Sequence, residues 1–407
     1  MMVRMSRGLT LLFAVAAGLS VANIYVAQPL LAAMAGDFGI PPAEIGLVVT
    51  ITQAGYALGL VFIVPAGDML DRRRLLAGQA GLSAIALLAV GLSPGPAVLF
   101  AGLALVGLLA VAVQGFVAFA ASLAADDQRG RVIGTVTGGV VTGILLARVV
   151  AGTLADLGGW RAVYLVSAAA SAILGIALFR LLPCDERRPG RSSYPALVAS
   201  VARLWREERT LRVRGTIACL IFAAFSVFWS AMVLPLSAQG LSPGRIGLFG
   251  LAGAIGAAAA GRAGMLADRG LGRRVTMVSL ALLVLSWLPL WLGAASFWLM
   301  AAGVILLDLA IQAVHVTNQA MILAARPDAR SRLVGAYMTA YSFGSGLGSI
   351  AATQVYGRAG WTGVCLLGAA ISLVALVFWR ITCPVPPAVQ PGVPGIIRRS
   401  TRSRVTN

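Results

Sequence analysis

The chain is written almost entirely in long apolar runs. Stretches of about 20 residues with few or no charges recur up to about residue 381, separated by short clusters of Gly, Pro, Asp and Arg. At ~1.5 Å per helical residue, each run can cross a hydrocarbon layer of ~30 Å. The alternation of polar and apolar positions that builds a membrane barrel is absent. The pattern predicts an all-α integral membrane protein with twelve transmembrane helices. Turn signals and charge clusters place spans 1 to 6 at about 9–34, 44–66, 75–92, 97–123, 132–155 and 161–182. Spans 7 to 12 fall at about 213–239, 246–266, 275–293, 297–324, 333–356 and 361–381.

The runs divide into two halves of six, 1–182 and 213–383. Between them, 183–212 is the one sizeable polar connection. There Leu197, Val198, Val201, Leu204 and Trp205 recur at helical spacing among Arg203, Arg206 and Glu207, which predicts a short amphipathic helix on the cytoplasmic membrane surface. The tail, 384–407, is rich in Pro and Arg and is expected to be disordered and cytoplasmic.

The halves repeat one another. Gly67-Asp68-Met69-Leu70-Asp71-Arg72-Arg73-Arg74 follows span 2, and Gly264-Met265-Leu266-Ala267-Asp268-Arg269-Gly270-Leu271-Gly272-Arg273-Arg274 follows span 8; their leading glycines are 197 residues apart. Arg131-Val132-Ile133-Gly134 matches Arg332-Leu333-Val334-Gly335, and Gly159-Trp160 matches Gly360-Trp361, both at an offset of 201. An even number of spans per half gives a parallel repeat about an axis along the membrane normal. Trp160, Trp361 and Trp298 start spans on one side, where indole rings favour the headgroup layer.

Composition agrees: 59% of residues are hydrophobic and 11% charged, far from soluble-domain usage. The net charge is +18, and every basic residue is Arg. All but Arg148, Arg161, Arg245 and Arg358 fall in or beside segments on one side, which reads as positive-inside asymmetry with both termini cytoplasmic. No aqueous segment is large enough to present a nucleic-acid surface, so no nucleic-acid partner is expected. Arg4 and Arg7 precede the first apolar run, which continues to about Met34 without a small-residue cleavage site, so it reads as an uncleaved span. Cys184, Cys219, Cys365 and Cys383 show no metal spacing and read as reduced structural thiols. No metal and no cofactor are expected. The absence of lysine removes the phosphate-binding Gly-x-x-x-x-Gly-Lys loop, so ATP is not the direct energy source.

The six-plus-six pattern, the central connection and the twice-written Gly-x-x-x-Asp-Arg cluster resemble the major facilitator superfamily of secondary transporters. The run Asn23-Ile24-Tyr25-Val26-Ala27-Gln28-Pro29-Leu30-Leu31 and Gly159-Trp160-Arg161 look like bacterial members of its drug- and sugar-efflux branch. Three positions depart from the family's patterns: Arg74 replaces a loop glycine, Val111 stands where many proton-coupled members have Arg, and Arg148 replaces the span 5 proline. The resemblance implies a monomer in the bacterial inner membrane that carries a small-molecule substrate by alternating access. It also implies that spans 1, 4, 7 and 10 line the central cavity and that span 2 meets span 11 at the loop motif.

Gating is accordingly assigned to Gly67, Asp71, Arg72, Arg73 and Arg74, and to Gly264, Asp268, Arg269, Gly272, Arg273 and Arg274. Gly67 would let a neighbouring helix approach, Asp71 would face the start of span 11, and the arginines would hold the loop at the anionic surface. A purely topological role for these residues is the alternative.

Mid-membrane polar groups carry the chemistry, because an ionisable residue there costs roughly 2.5–3.5 kcal/mol and needs a partner or a watery cavity. Asp308 lies about 10 residues into span 10, ~15 Å deep, and Arg148 lies at ~12 Å in span 5. These are candidate partners of equal depth. His315, the one histidine, joins Asp308, Gln312 and Gln319 on one helical face. Gln114 is its repeat mate in span 4, and Asn23, Gln28, Trp229 and Ser230 complete the expected lining. Asp308, His315 and Arg148 are assigned to proton coupling. A permanent Asp308–Arg148 pair that only fixes helix packing is the alternative. The function expected is proton-coupled export of a small organic solute or drug, with a nutrient importer or facilitator as the competing reading. A membrane enzyme ranks lowest, since one His and one buried Asp make a poor catalytic set.

Overall fold

The computed structural model describes residues 5–67, 69–125, 127–183, 193–293, 296–325 and 330–383, without side-chain detail at 257–261, 267, 268, 324, 325, 330 and 331. Cys184 and the tail lie outside the described residues. Among the described residues the regular structure is helical throughout.

Span 1 is α1 (Arg7–Tyr25), a 3₁₀ turn (Gln28–Leu30) and α2 (Leu31–Phe38). The turn falls at Pro29, which has no N–H to continue the α-helical ladder. Spans 2 and 3 are α3 (Leu47–Ala66) and α4 (Arg72–Gly91). Span 4 is α5 (Pro96–Ala110) and α6 (Ala112–Leu123), meeting at Val111. Spans 5 and 6 are one long helix, α7 (Arg129–Leu181), folded back at Gly159. The connection holds α8 (Tyr194–Glu207). Span 7 is α9 (Arg209–Ala231) and α10 (Val233–Ala238), with Pro235 just past the break, as Pro29 is in span 1. Span 8 is α11 (Pro243–Gly247) and α12 (Phe249–Leu266); a π turn then leads into span 9, α13 (Gly272–Leu292). Span 10 is α14 (Phe297–Ala325), and spans 11 and 12 are α15 (Arg330–Thr382), folded back at Gly360.

The two fold-backs are tighter than the sequence suggests. Gly159 (φ 76°, ψ 170°) and Gly360 (φ 59°, ψ −158°) each reverse the chain almost alone, in backbone regions that glycine alone occupies readily. Trp160 and Trp361 therefore turn inward rather than toward headgroups. Trp160 is 5% exposed and donates to Asp37 Oδ2 at 3.0 Å; Trp361 is 8% exposed and donates to the Leu290 carbonyl at 3.0 Å. Trp298, 80% exposed, keeps its expected place at the bundle surface.

α1 and α4 lie on α7, α3 on α5, α9 on α15, and α12 and α13 on α14. Two seams join the first six spans to the last six: α3 against α15, and α7 against α11 and α12. Both close at the end of the bundle away from the arginine clusters. Ser349 Oγ donates to the Gly46 carbonyl at 3.1 Å, Thr353 Oγ1 to Ala43 at 3.0 Å, and Thr50 Oγ1 to Gly346 at 2.7 Å. In the other seam a Cβ on Gly152 would sit 2.3 Å from the Pro243 carbonyl oxygen. There Asp156 also accepts from Ser242 Oγ at 2.9 Å and from the Gly244 N–H at 3.2 Å.

Toward the arginine-rich end the seams part. Gly134 and Gly138 continue the α7 face that carries Leu145, Arg148 and Gly152, and Gly335 continues the α15 face that carries Gly346 and Ser349. Among the described residues nothing lies within 4 Å of where their Cβ atoms would be.

The amphipathic helix predicted on the membrane surface is instead a strut. Tyr194 of α8 donates to the Phe62 carbonyl of α3 at 2.7 Å, while Val201 and Leu204 are buried in a cluster with Leu211, Ile322, Leu333 and Tyr337. Its apolar face finds protein rather than lipid, so it links the first six spans to the last six at the arginine-rich end.

Candidate functional site

Four of the residues assigned from sequence meet at one buried point beneath the closed seams. Arg148, 2% exposed, donates from Nε to Gln28 Oε1 at 2.6 Å and from Nη1 to the Ile144 carbonyl at 3.4 Å. Its guanidinium carbon lies 3.9 Å from the Trp229 ring centre, 5.1 Å from that of Tyr25 and 5.5 Å from that of Phe225. Asp308, 4% exposed, accepts from Trp229 Nε1 at 3.3 Å. Arg148 and Asp308 form no direct ion pair. The indole stands between them, offering its π face to the cation and its N–H to the carboxylate. A cation over an aromatic face gains about 0.5–2 kcal/mol per contact, so this cage offsets much of the charge's burial. One atom stays unmatched: Arg148 Nη2 is buried without a hydrogen-bond partner.

The pairing proposed from equal depth is thus replaced by a relay through Trp229. Asp308 is held away from Arg148 by its bond to the indole, and Gly253 abuts its other oxygen, where an added Cβ would lie 2.1 Å from Oδ2.

A second layer lies on the arginine-rich side of this point. The Tyr25 and Tyr341 hydroxyls meet in a hydrogen bond that joins span 1 to span 11. Phe222 stacks edge-on to Tyr341 (ring centres 4.0 Å) and to His315 (5.1 Å). His315 Nδ1 bonds the Tyr337 hydroxyl at 2.9 Å, and its Nε2 bonds Gln319 at 3.3 Å. His315, Gln312 and Gln319 are half-buried, on the side where the seams part. The sequence-derived stripe 308, 312, 315, 319 therefore runs from the closed point to the open region, and Asp308 and His315 share no bond.

Other assigned residues lie elsewhere. Asn23 turns to span 6, donating to Ser171 Oγ at 3.5 Å, and borders an apolar groove of about 580 Å³ among spans 1, 5 and 6. In span 1 the inward-facing positions at this depth are held by Tyr25 and by Gln28 of the 3₁₀ turn. Ser230 is fully buried, its hydroxyl without a partner among the described residues. Gln114 donates to Tyr56 at 3.3 Å and borders a cavity of about 40 Å³ with Gly67, Arg72 and Gln79.

The first loop motif works within its own half. Asp71 does not face span 11; it is the N-cap of α4, accepting from the Arg73 N–H at 2.8 Å and the Arg74 N–H at 3.3 Å. The free amides of its own helix are nearer than those of any other. Gly67 lies against Val64 and Leu75 in its own turn rather than under a crossing helix. Arg72 Nε donates to the Gly67 carbonyl at 3.1 Å, Arg73 Nε to Phe179 of span 6 at 2.8 Å, and Arg74 is exposed. In the second copy Gly264 faces Val316 of span 10, and Arg273 lies over Trp379 at 5.5 Å. Gly272 is buried at the start of α13, Arg269 and Arg274 are exposed, and the Asp268 side chain lies outside the described residues.

The cap makes a prediction. Asp71→Ala removes an N-cap and should destabilise the protein by about 0.5–2 kcal/mol, whereas Asp71→Asn keeps the acceptor and should stay near wild type. Thermal unfolding in detergent reads both. Equal losses for the two variants would show that the charge, not the cap, is what counts.

Sequence reasoning missed Tyr25, Phe222, Phe225, Tyr337 and Tyr341. The signal was present as spacing: Phe222, Phe225 and Trp229 lie at i, i+3 and i+7, Tyr337 and Tyr341 at i and i+4, and Tyr25 three residues before Gln28.

Comparison with known proteins fits this architecture. The sequence model of the Major Facilitator Superfamily matches residues 13–278 and 214–404. The chain belongs to the Major Facilitator Superfamily. It is 45% identical over 377 residues to the uncharacterized transporter YgaY of Escherichia coli, covering 92% of this chain and 95% of that protein. It is 33% identical over 368 residues to "Probable transporter SCO4007" of Streptomyces coelicolor, covering 88% of this chain and 84% of the relative. Among solved structures, the nucleoside transporter NupG superposes with a TM-score of 0.73 at 15% identity, over 92% of this chain and 99% of that one. An inward-facing, occupied bacterial homologue of the human lysosomal transporter Spinster gives 0.74 at 15% identity, over 92% of this chain and 96% of the other. This superfamily member is a membrane transporter.

Proposed function

We propose that the protein exports a small organic solute across the bacterial inner membrane, exchanging it for protons by alternating access. The observation that carries this reading is the buried relay Arg148–Trp229–Asp308, set where the two seams change from closed to open. A buried carboxyl that can take up a proton, held beside a permanently charged guanidinium, is a pairing a coupled transporter can use to exchange a proton against a solute. The asymmetry of the arginines supports assigning their end of the bundle, and both termini, to the cytoplasm. On that assignment the arrangement described here opens inward, and the half-buried His315 lies between the cytoplasm and Asp308.

The test is flux. Proteoliposomes preloaded with labelled metabolites or antimicrobials are diluted, and outward movement is followed with and without a proton gradient. Export predicts saturable efflux of at least one compound that slows when the gradient is collapsed. Efflux indifferent to the gradient would support a facilitator, and accumulation inside down a proton gradient an importer.

A further inference from the structure

We infer that the solute is an organic anion, a carboxylate on an apolar or aromatic body, and that the carboxylate docks on the free edge of Arg148. The inference rests on the transport reading for its setting but on Arg148 for its chemistry. Guanidinium groups bind carboxylates through planar, paired N–H donors. Arg148 uses Nε on Gln28 and Nη1 on a backbone carbonyl, and leaves Nη2 buried and unmatched. A buried charged donor without a partner is costly, and the group that receives it is ordinarily a water or a ligand oxygen.

The negative charge that could match it from within the chain is occupied. Asp308 is bonded to Trp229, and among the described residues the groups that touch the Arg148 guanidinium are Tyr25, Gln28, Phe225 and Trp229, none of them acidic. The aromatic faces supply the surface an apolar body would lie on. In the present arrangement the void against Arg148 measures about 10 Å³, the size of one water. That void lies on the closed-seam side of Arg148, bordered by Pro29, Met232, Val233, Ile246 and Gly247, and is too small for an organic anion. The site therefore fills only in an arrangement in which the packing around Arg148 has opened, and from the arginine-rich side the contact that has to part is the Tyr25–Tyr341 bond. Once bound, the anion lies near the Asp308 carboxylate, and repulsion between the two negative charges should weaken its binding.

The experiment measures binding without any gradient. The purified protein is titrated with 3-phenylpropionate, its amide and 3-phenylpropylamine, and ligand-induced thermal stabilisation is converted to affinity. The acid is expected to bind at least tenfold more tightly than the amide or the amine. Arg148→Gln should weaken the acid roughly ten- to hundredfold, with Arg148→Lys intermediate. Asp308→Asn should tighten the acid severalfold, an effect that a merely structural role for Arg148 would not produce and that needs no variant at Arg148 to fold. The inference is overturned if the amine binds as well as the acid, if no stabilisation by the acid is seen, or if Asp308→Asn leaves its affinity unchanged. Intact anion binding without flux would sink the transport reading alone, and gradient-driven flux of a cation would sink this inference alone.

Discussion

Asp308→Asn is expected to lower gradient-driven transport to the level of protein-free vesicles while the protein still folds and still exchanges solute down its own gradient. The substitution keeps the shape and an acceptor for the Trp229 N–H but removes the proposed proton site. Net accumulation against a gradient needs a group that carries a proton in one half of the cycle and returns without it. Among the described residues Asp308 is the acid buried beside Arg148, and His315 is engaged by Tyr337 and Gln319 two helical turns away. Solute counterflow in the absence of a pH gradient should therefore persist, and concentrative flux should not. Full concentrative flux in this variant would move the coupling site elsewhere.

The second large effect concerns the seams. Gly152→Leu places a side chain where the first added carbon would already lie 2.3 Å from the Pro243 carbonyl. Overpacking of this kind costs about 1–3 kcal/mol, but only in the arrangement that closes this seam. Every 1.4 kcal/mol shifts a two-state population about tenfold, so the variant should favour the arrangement open at that end and slow turnover by roughly one to two orders of magnitude. Gly134→Leu is its mirror. Its side chain meets open space among the described residues here, so it should clash only when the arginine-rich end closes and should hold the present arrangement. If both substitutions shift the population in the same direction, the seams are not the moving parts.

Sequence was most informative where the membrane imposes a rule on a single helix. Length and hydropathy predicted the apolar helices, the repeat gave two halves of six, and the polar series on span 10 placed Asp308, Gln312, His315 and Gln319 on one helical face. What it could not supply was contact between helices. Depth alone matched Arg148 with Asp308, but the azimuth of Trp229 decides that they communicate through an indole. Tyr25 and Tyr341 lie 316 residues apart, in different halves, and nothing in a hydropathy pattern announces that their hydroxyls meet. The loop motif misled for a related reason: Asp71 reads as a long-range gating charge, yet a helix start captures its nearest carboxylate first. The same holds for Trp160 and Trp361, whose indoles find acceptors inside the protein through fold-backs that turn on one glycine each.

The two ends of the bundle should open and close in opposition about these seams. Paired spin labels in a cysteine-free background measure this, at Glu44 and Arg358 across the end closed here, and at Gly134 and Arg262 across the end that is open. Two distances are expected at each end, with weights that change in opposite senses when Asp308→Asn is introduced. A single distance at each end, unmoved by that substitution, would contradict it.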